Sequence, residues 1–380
     1  MKNLLQTAVV LCGIGFSALL GVAADPAGDP IKIGSLNSMT GGNSTFGQSC
    51  DGGIRLAAEE RNKAGGVLGR PVEIVTADTE SQADKTSLAV GKLIDNDHVI
   101  SVLGEVASSR TNAAAPICQK AKIPLLTPAS TNPKVTKFGN YVFRSCFVDD
   151  LQGLWIAKFT ANDLKLKRAA ILTDIKNDYS TGLTKVLKTE FPKLGGEIIG
   201  NETYQAGDQD FKGQLTSLKA LNPDIIFLPG YYTEVTSICA QARELGITCP
   251  FIGGDGWDSD KTLTNGGAAV EGCYFTNHYD ASDPDPRVQA FVSKYKSSHN
   301  GETPDAMAVL GYDAANILFD AIDRSKSTEG PAIRDALAQT KDFPGVTGNI
   351  TIDKNRNAVK PGVVLQIKGG KFMLVKRVEP

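Results

Sequence analysis

Short apolar runs rich in β-branched residues recur along the chain. Each is closed by a cluster of small or polar residues and then gives way to apolar positions at helical spacing. Residues 99–103 form one such run; after Gly104 come Ser108, Ser109 and Thr111, and then Ala113, Ala114, Ile117 and Ala121 recur three and four apart. In the first part of the chain this pattern predicts strands at 31–36, 72–77, 99–103 and 123–126, helices at 47–63, 84–93 and after Ser108, and a short crossing strand at 141–144. The rhythm restarts after Asp149 and Asp150. Strands at 168–172, 197–203, 224–228 and 251–252 then alternate with helices at 151–162, 182–190, 211–220 and from Val235 to beyond Ala242. Strands alternating with helices form a parallel sheet wrapped on both faces, so the expected class is α/β with two doubly wound parallel-sheet lobes dividing near 146–150.

Beyond Phe275 the pattern turns helical at 287–298, 304–324 and 331–340. Two short strands at 363–367 and 372–375, joined by Gly369-Gly370, then read as a hairpin. If these segments complete both halves, the chain crosses between lobes three times. The expected division is residues 30–147 with 279–353 in one lobe and 148–278 with 354–380 in the other. Three connecting strands make a hinge, a geometry suited to closing around a ligand.

The turns at the strand ends carry the candidate chemistry. In an open α/β sheet, ligands gather at the carboxyl ends of the strands. Ser108 and Ser109 stand where a strand hands over to a helix, whose first amides lack internal partners and whose dipole is positive there. That favours an anion, although either serine could equally be a simple helix cap. The next strand ends in a second small-polar turn containing Ala129, Ser130 and Thr131. With the segment 40–46, ending in Phe46, and with Ala107, these turns offer hydrogen-bond donors from the first half. From the second half come Tyr179, Tyr231, the carboxylate Asp255 and Trp257. A small zwitterion fits between the two sets, its carboxylate on Ser108 and Thr131, its ammonium on Asp255, and its side chain walled by Phe46, Tyr179, Tyr231 and Trp257. Such buried charges require several hydrogen bonds to offset desolvation.

Bulk properties narrow the alternatives. In 380 residues, 40 basic and 42 acidic side chains balance to a formal charge of −2 without long runs of either sign, which argues against a nucleic-acid partner. Three histidines, His98, His278 and His299, have no metal or general-base spacing and read as surface or loop residues. No phosphate-binding loop, zinc-protease helix or nucleophile elbow is present, so neither catalysis, a metal nor a cofactor is expected. Residues 1–24 carry one Lys, an apolar run and small residues at Val22 and Ala24. They read as a cleaved export signal that leaves a chain not embedded in a membrane. Export permits disulfides. Cys249 and Cys273 each flank a strand and are the candidate pair, with Cys50 and Cys146 a weaker one; Cys118 and Cys239 read as core thiols.

Taken with IKIGSLNSMTGGNSTFGQ, AGGVLGRPVEIVTADTES, VLGEVASSRT, LLTPASTNP, FRSCFVDDLQG, DIIFLPGYYTE and FIGGDGWDS, the chain resembles the periplasmic branched-chain amino-acid-binding proteins of ABC transporters, with the type I periplasmic-binding fold. The resemblance covers essentially the whole chain after the signal. It implies two lobes on a three-strand hinge, a periplasmic monomer, an amino-acid ligand, and ABC permease subunits as partners. It also implies roles: Ser108, Ala129 and Thr131 for the α-carboxylate, Tyr231 and Asp255 for the α-ammonium, and Phe46, Ala107 and Tyr179 for the ligand side chain. Family members often carry Glu where Asp255 stands and Tyr where Phe46 stands, and their cysteine pairs do not match those here. Related receptors bind amides, urea or aromatic acids, which are the alternatives to an aliphatic amino acid.

Overall fold

The computed structural model describes residues 26–380. The expected export signal at 1–24 lies outside them. Five parallel strands build the first sheet: β1 (Ile31–Asn37), β2 (Val72–Asp78), β3 (Ser101–Gly104), β4 (Leu125–Thr127) and β5 (Val142–Arg144), in the order β2-β1-β3-β4-β5. The segment read as a short crossing strand is thus β5, the edge of this sheet. A second sheet holds β6 (Arg168–Asp174), β7 (Glu197–Tyr204), β8 (Ile225–Phe227), β9 (Phe251–Gly253) and β10 (Tyr274–Asn277), all parallel. Three short strands not read from the sequence, β11 (Phe343–Gly345), β12 (Gly348–Ile352) and β13 (Ala358–Val359), make a small antiparallel set. The terminal hairpin β14 (Gly362–Lys368) and β15 (Lys371–Val378) then joins the second sheet, giving the order β15-β14-β10-β9-β8-β6-β7. Its turn residues Gly369 and Gly370 have φ of 59° and 67°, the left-handed pair that a two-residue hairpin demands and that only glycine adopts without cost.

The chain passes between the two layers three times. After β5 it enters the helix Asp149–Lys158; after β10 it returns to the helix Pro286–Ser298; after β13 it goes back to β14. The third passage falls after Val359, because Val359 still pairs with Thr351 of β12.

The helix Ala306–Ser325 is the central strut of the first lobe. Asp305 caps it by accepting from the Ala308 amide at 2.9 Å, and Lys326 ends it in a left-handed turn. It lies against the helix Ser44–Lys63 at a close crossing made by glycines on both sides. A Cβ on Gly53 would stand 1.9 Å from the Ala308 carbonyl oxygen, and one on Gly311 would stand 2.4 Å from that of Cys50. Backbones can touch there only without side chains. At 353–357, the Asp353 carboxylate accepts from the amides of Asn355 and Asn357 at 2.7 and 2.9 Å, which makes a self-closed turn.

Cys249 and Cys273 are not bridged; all six cysteines among the described residues are free thiols. The register explains this. Ile252 pairs with Tyr274, so Cys273 lies across from Phe251, two positions beyond Cys249. Arg243 Nη2 points to Cys273 Sγ at 3.6 Å, and its Nη1 donates to the Cys249 carbonyl at 2.9 Å. Cys50 and Cys146 are likewise free.

Candidate functional site

The loops after β1, β3 and β4 face the loops after β6, β8 and β9. Between them lies a small cavity. Its walls include Phe46, Ser108, Ala129 and Thr131 from one side and Tyr179, Tyr231 and Asp255 from the other. Ser108 and Thr131 are each 1% exposed and Asp255 is 3% exposed, so both donor and acceptor sides are shut away from solvent.

On the first-lobe side, the helix Ser108–Ala121 starts at Ala107, whose backbone is extended, and no side chain caps it. Its internal bonding begins with Arg110 and Thr111 donating to the Ala107 carbonyl, which leaves the Ser108 and Ser109 amides ahead of the ladder. Ser108 Oγ accepts from the Asn132 amide at 3.2 Å, so its own hydroxyl proton remains available to the cavity. The turn carrying Thr131 is held from behind by the fully buried Arg144, which donates to the carbonyls of Ser130 and Asn132, each at 2.7 Å. Glu105 organises the same region. Its carboxylate accepts from Ser38 (2.6 Å), Thr79 (3.0 Å) and the Ala107 amide (2.7 Å) and pairs with Arg110, while its carbonyl accepts from Thr111, Thr127 and Ser130. Burial pushes the Asp149 carboxyl, next to Thr131, well above the usual range.

On the second-lobe side, Asp255 opens a short turn after β9. Gln152 Nε2 donates to its Oδ1 at 2.8 Å, and His278 Nε2 lies 3.1 Å from its Oδ2. Tyr179 and Tyr231 stack with centroids 5.2 Å apart, and Phe46 meets Tyr231 edge-on from the opposite lobe at 5.9 Å. Burial raises both tyrosine pKa values, so their hydroxyls stay protonated and able to donate.

Seven of the eleven residues expected at the site therefore line one cavity: Phe46, Ser108, Ala129, Thr131, Tyr179, Tyr231 and Asp255. Four do not. Ser109 Oγ accepts from the Asp178 amide at 2.9 Å, a contact between the lobes. Ser130 Oγ is used by Thr111 and the Glu105 carbonyl. Ala107 is the cap position behind the wall, its amide on Glu105. Trp257 lies in the core of the second lobe, its Nε1 donating to the Leu228 carbonyl at 3.1 Å. Val106, Gly256 and Met307 line the cavity without having been foreseen. His278, read as a loop or surface residue, is 2% exposed and in contact with Asp255.

The lobes meet around the cavity through several hydrogen bonds. Asn132 Nδ2 donates to the Asp178 carbonyl at 2.6 Å, Tyr232 OH to the Gly42 carbonyl at 2.9 Å, and the Ala306 amide to Asp258 Oδ2 at 2.6 Å. No group of three or more potential metal ligands occurs among the described residues, and no helix among them is long and apolar enough to cross a membrane.

Comparison with known proteins agrees with this geometry. A family model described as periplasmic binding protein matches residues 30–371. The chain is 30% identical over 340 residues to the leucine-, isoleucine-, valine-, threonine- and alanine-binding protein of Pseudomonas aeruginosa, covering 89% of this chain and 90% of the relative. Among solved structures, it resembles the leucine binding protein LivK of Thermotoga maritima with 40% identity and a TM-score of 0.89, covering 92% of this chain and 99% of that one. It also resembles LivJ, a branched-chain amino acid transporter substrate binding protein from Streptococcus pneumoniae solved with isoleucine, with 32% identity and a TM-score of 0.86, covering 92% and 100%. The two parallel-sheet lobes, the cavity at their strand ends and these likenesses agree: the chain belongs to the periplasmic binding protein family.

Proposed function

We propose that this protein is the solute-binding component of an ABC importer, capturing an aliphatic amino acid between residues 30–147 with 279–359 and residues 148–278 with 360–380. One observation carries the reading: the hydroxyl donors Ser108 and Thr131 share a closed cavity with the single carboxylate Asp255. Donors at a helix start suit an α-carboxylate, and a buried carboxylate suits an α-ammonium. Phe46, Val106, Tyr231 and Met307 leave an apolar space for the side chain. The ligands named for the Pseudomonas relative and for LivJ are of this class. Export through the segment 1–24, action as a monomer in the periplasm, and delivery to permease subunits complete the proposal.

Asp255 separates this reading from its rivals. An aromatic acid would bring a second carboxylate against it, and an amide or urea would leave it without a cationic partner. A thermal-shift panel on ligand-stripped protein tests the choice, because a bound ligand raises apparent stability by mass action. Leucine, isoleucine or valine should raise the melting temperature while acetamide, urea and benzoate leave it unchanged. The reverse pattern would overturn the proposal.

A further inference from the structure

His278 follows β10, where the chain leaves the second sheet for the helix Pro286–Ser298. Its imidazole is buried and lies almost parallel to Phe147, with centroids 3.8 Å apart and planes 17° apart, and Phe147 is in turn braced edge-on by Trp155 at 5.0 Å. The ring therefore has little freedom to turn. Nε2 stands 3.1 Å from Asp255 Oδ2, whereas Nδ1 has no hydrogen-bond partner among the described residues. Since a carboxylate oxygen only accepts, the proton belongs on Nε2.

We propose that His278 is the positioning residue of the ammonium site: as the Nε2–H tautomer it fixes one oxygen of Asp255 while Gln152 fixes the other, so the carboxylate is aimed into the cavity with its charge intact. This deepens the amino-acid reading and rests on it. A permanent cation at 278 would hold Asp255 equally well but cancel the charge that attracts an ammonium. A neutral donor directs the carboxylate without that cancellation. Burial supports the neutral form by drawing the imidazole pKa down to about 4, against the opposing pull of Asp255. A second proton, on Nδ1, would find no acceptor there.

The test needs a ligand pair that differs only at the ammonium. The best binder among leucine, isoleucine and valine is titrated calorimetrically beside its 2-hydroxy acid, which has a hydroxyl in place of the ammonium. In the wild-type protein the amino acid should bind more tightly. His278→Leu should lower amino-acid affinity by about tenfold to a hundredfold, the worth of a hydrogen bond to a charged group, and leave the hydroxy acid nearly unchanged. His278→Gln, which retains an amide donor, should recover part of the discrimination. Equal losses for both ligands, or an unchanged ratio, would overturn the positioning role while leaving the amino-acid reading standing. Failure of the wild-type protein to prefer any amino acid would remove that reading itself, and the inference with it. Imidazole ¹⁵N shifts of the wild-type protein at neutral pH give a result independent of any variant's folding. A protonated Nε2 with a bare Nδ1 is expected, and a protonated Nδ1 would contradict the proposal.

Discussion

Asn112, on the helix that begins at Ser108, donates from its Nδ2 to Asp178 Oδ2 of the opposite lobe at 2.7 Å. This bond lies at the rim of the cavity, beside the Ser109 and Asn132 contacts to the same turn. It can form only when the lobes are together, so it stabilises the closed form without touching the ligand. Asn112→Ala should therefore weaken amino-acid binding by about tenfold, mainly through faster release, because the charge-assisted bond is lost from the closed state alone. Stopped-flow dissociation measures this, and an unchanged off-rate would show that the contact carries no closing energy.

Ser108 tests the carboxylate side. Ser108→Ala removes the hydroxyl proton but keeps the helix start, because the cap position is Ala107. Affinity for the amino acid should fall by about tenfold, and its carboxamide analogue should lose less, since a hydrogen bond to a charged acceptor is worth more than one to a neutral acceptor. Equal losses for the two ligands would count against Ser108 as a carboxylate donor.

Arg144 tests the scaffold. It is fully buried and satisfies two carbonyls of the loop that carries Thr131, while its Nε donates to Asn357 Oδ1 at 2.7 Å. Arg144→Met should destabilise the protein by about 3 kcal/mol or more by stranding those acceptors, measured by urea denaturation. Arg144→Lys should restore little, because an ammonium cannot reproduce the planar fork.

Two acids facing each other across the lobes give a pH dependence. Asp258 accepts from the first amide of the helix Ala306–Ser325, and Asp305 caps the same helix. Burial pushes Asp258 up to about 6, with a smaller push from the nearby Asp255, and burial reinforced by the Asp258 charge pushes Asp305 up to about 7. A carboxyl whose folded pKa lies above its unfolded value keeps its proton longer in the folded state, so stability falls as pH rises from about 4 to about 7. Asp305→Asn keeps a good cap and removes the titration. Its melting temperature relative to wild type should climb over that range and level off above pH 7. A constant difference would show that Asp305 does not titrate there.

Much of this architecture was legible in the residue pattern because buried parallel strands are continuous apolar runs, and each run here ends in a visibly different turn. Ser108, Thr131, Tyr179, Tyr231 and Asp255 could be placed together because all follow parallel strands, whose carboxyl ends lie at one edge of each sheet. Facing was harder to read. Ser130 and Trp257 sit in the right turns but point into their own lobes, and an irregular turn has no period from which direction can be read. His278 reaches Asp255, and Met307 the cavity, through the chain around and beyond the crossing after β10, a long-range return that local spacing does not encode. Glu105 sits among small apolar residues, where nothing in the spacing shows that six groups hydrogen-bond to its carboxylate and carbonyl and that Arg110 pairs with it. The cysteine pairing failed on a two-residue offset in the β9–β10 register, which composition cannot supply.

Calorimetric titration of ligand-stripped wild-type protein and Asp255→Ala with leucine, isoleucine and valine bears most directly on the ammonium site. The wild-type protein should bind at least one of the three, and Asp255→Ala should abolish that binding while remaining folded. Undiminished affinity in the variant would mean that no ammonium rests on Asp255.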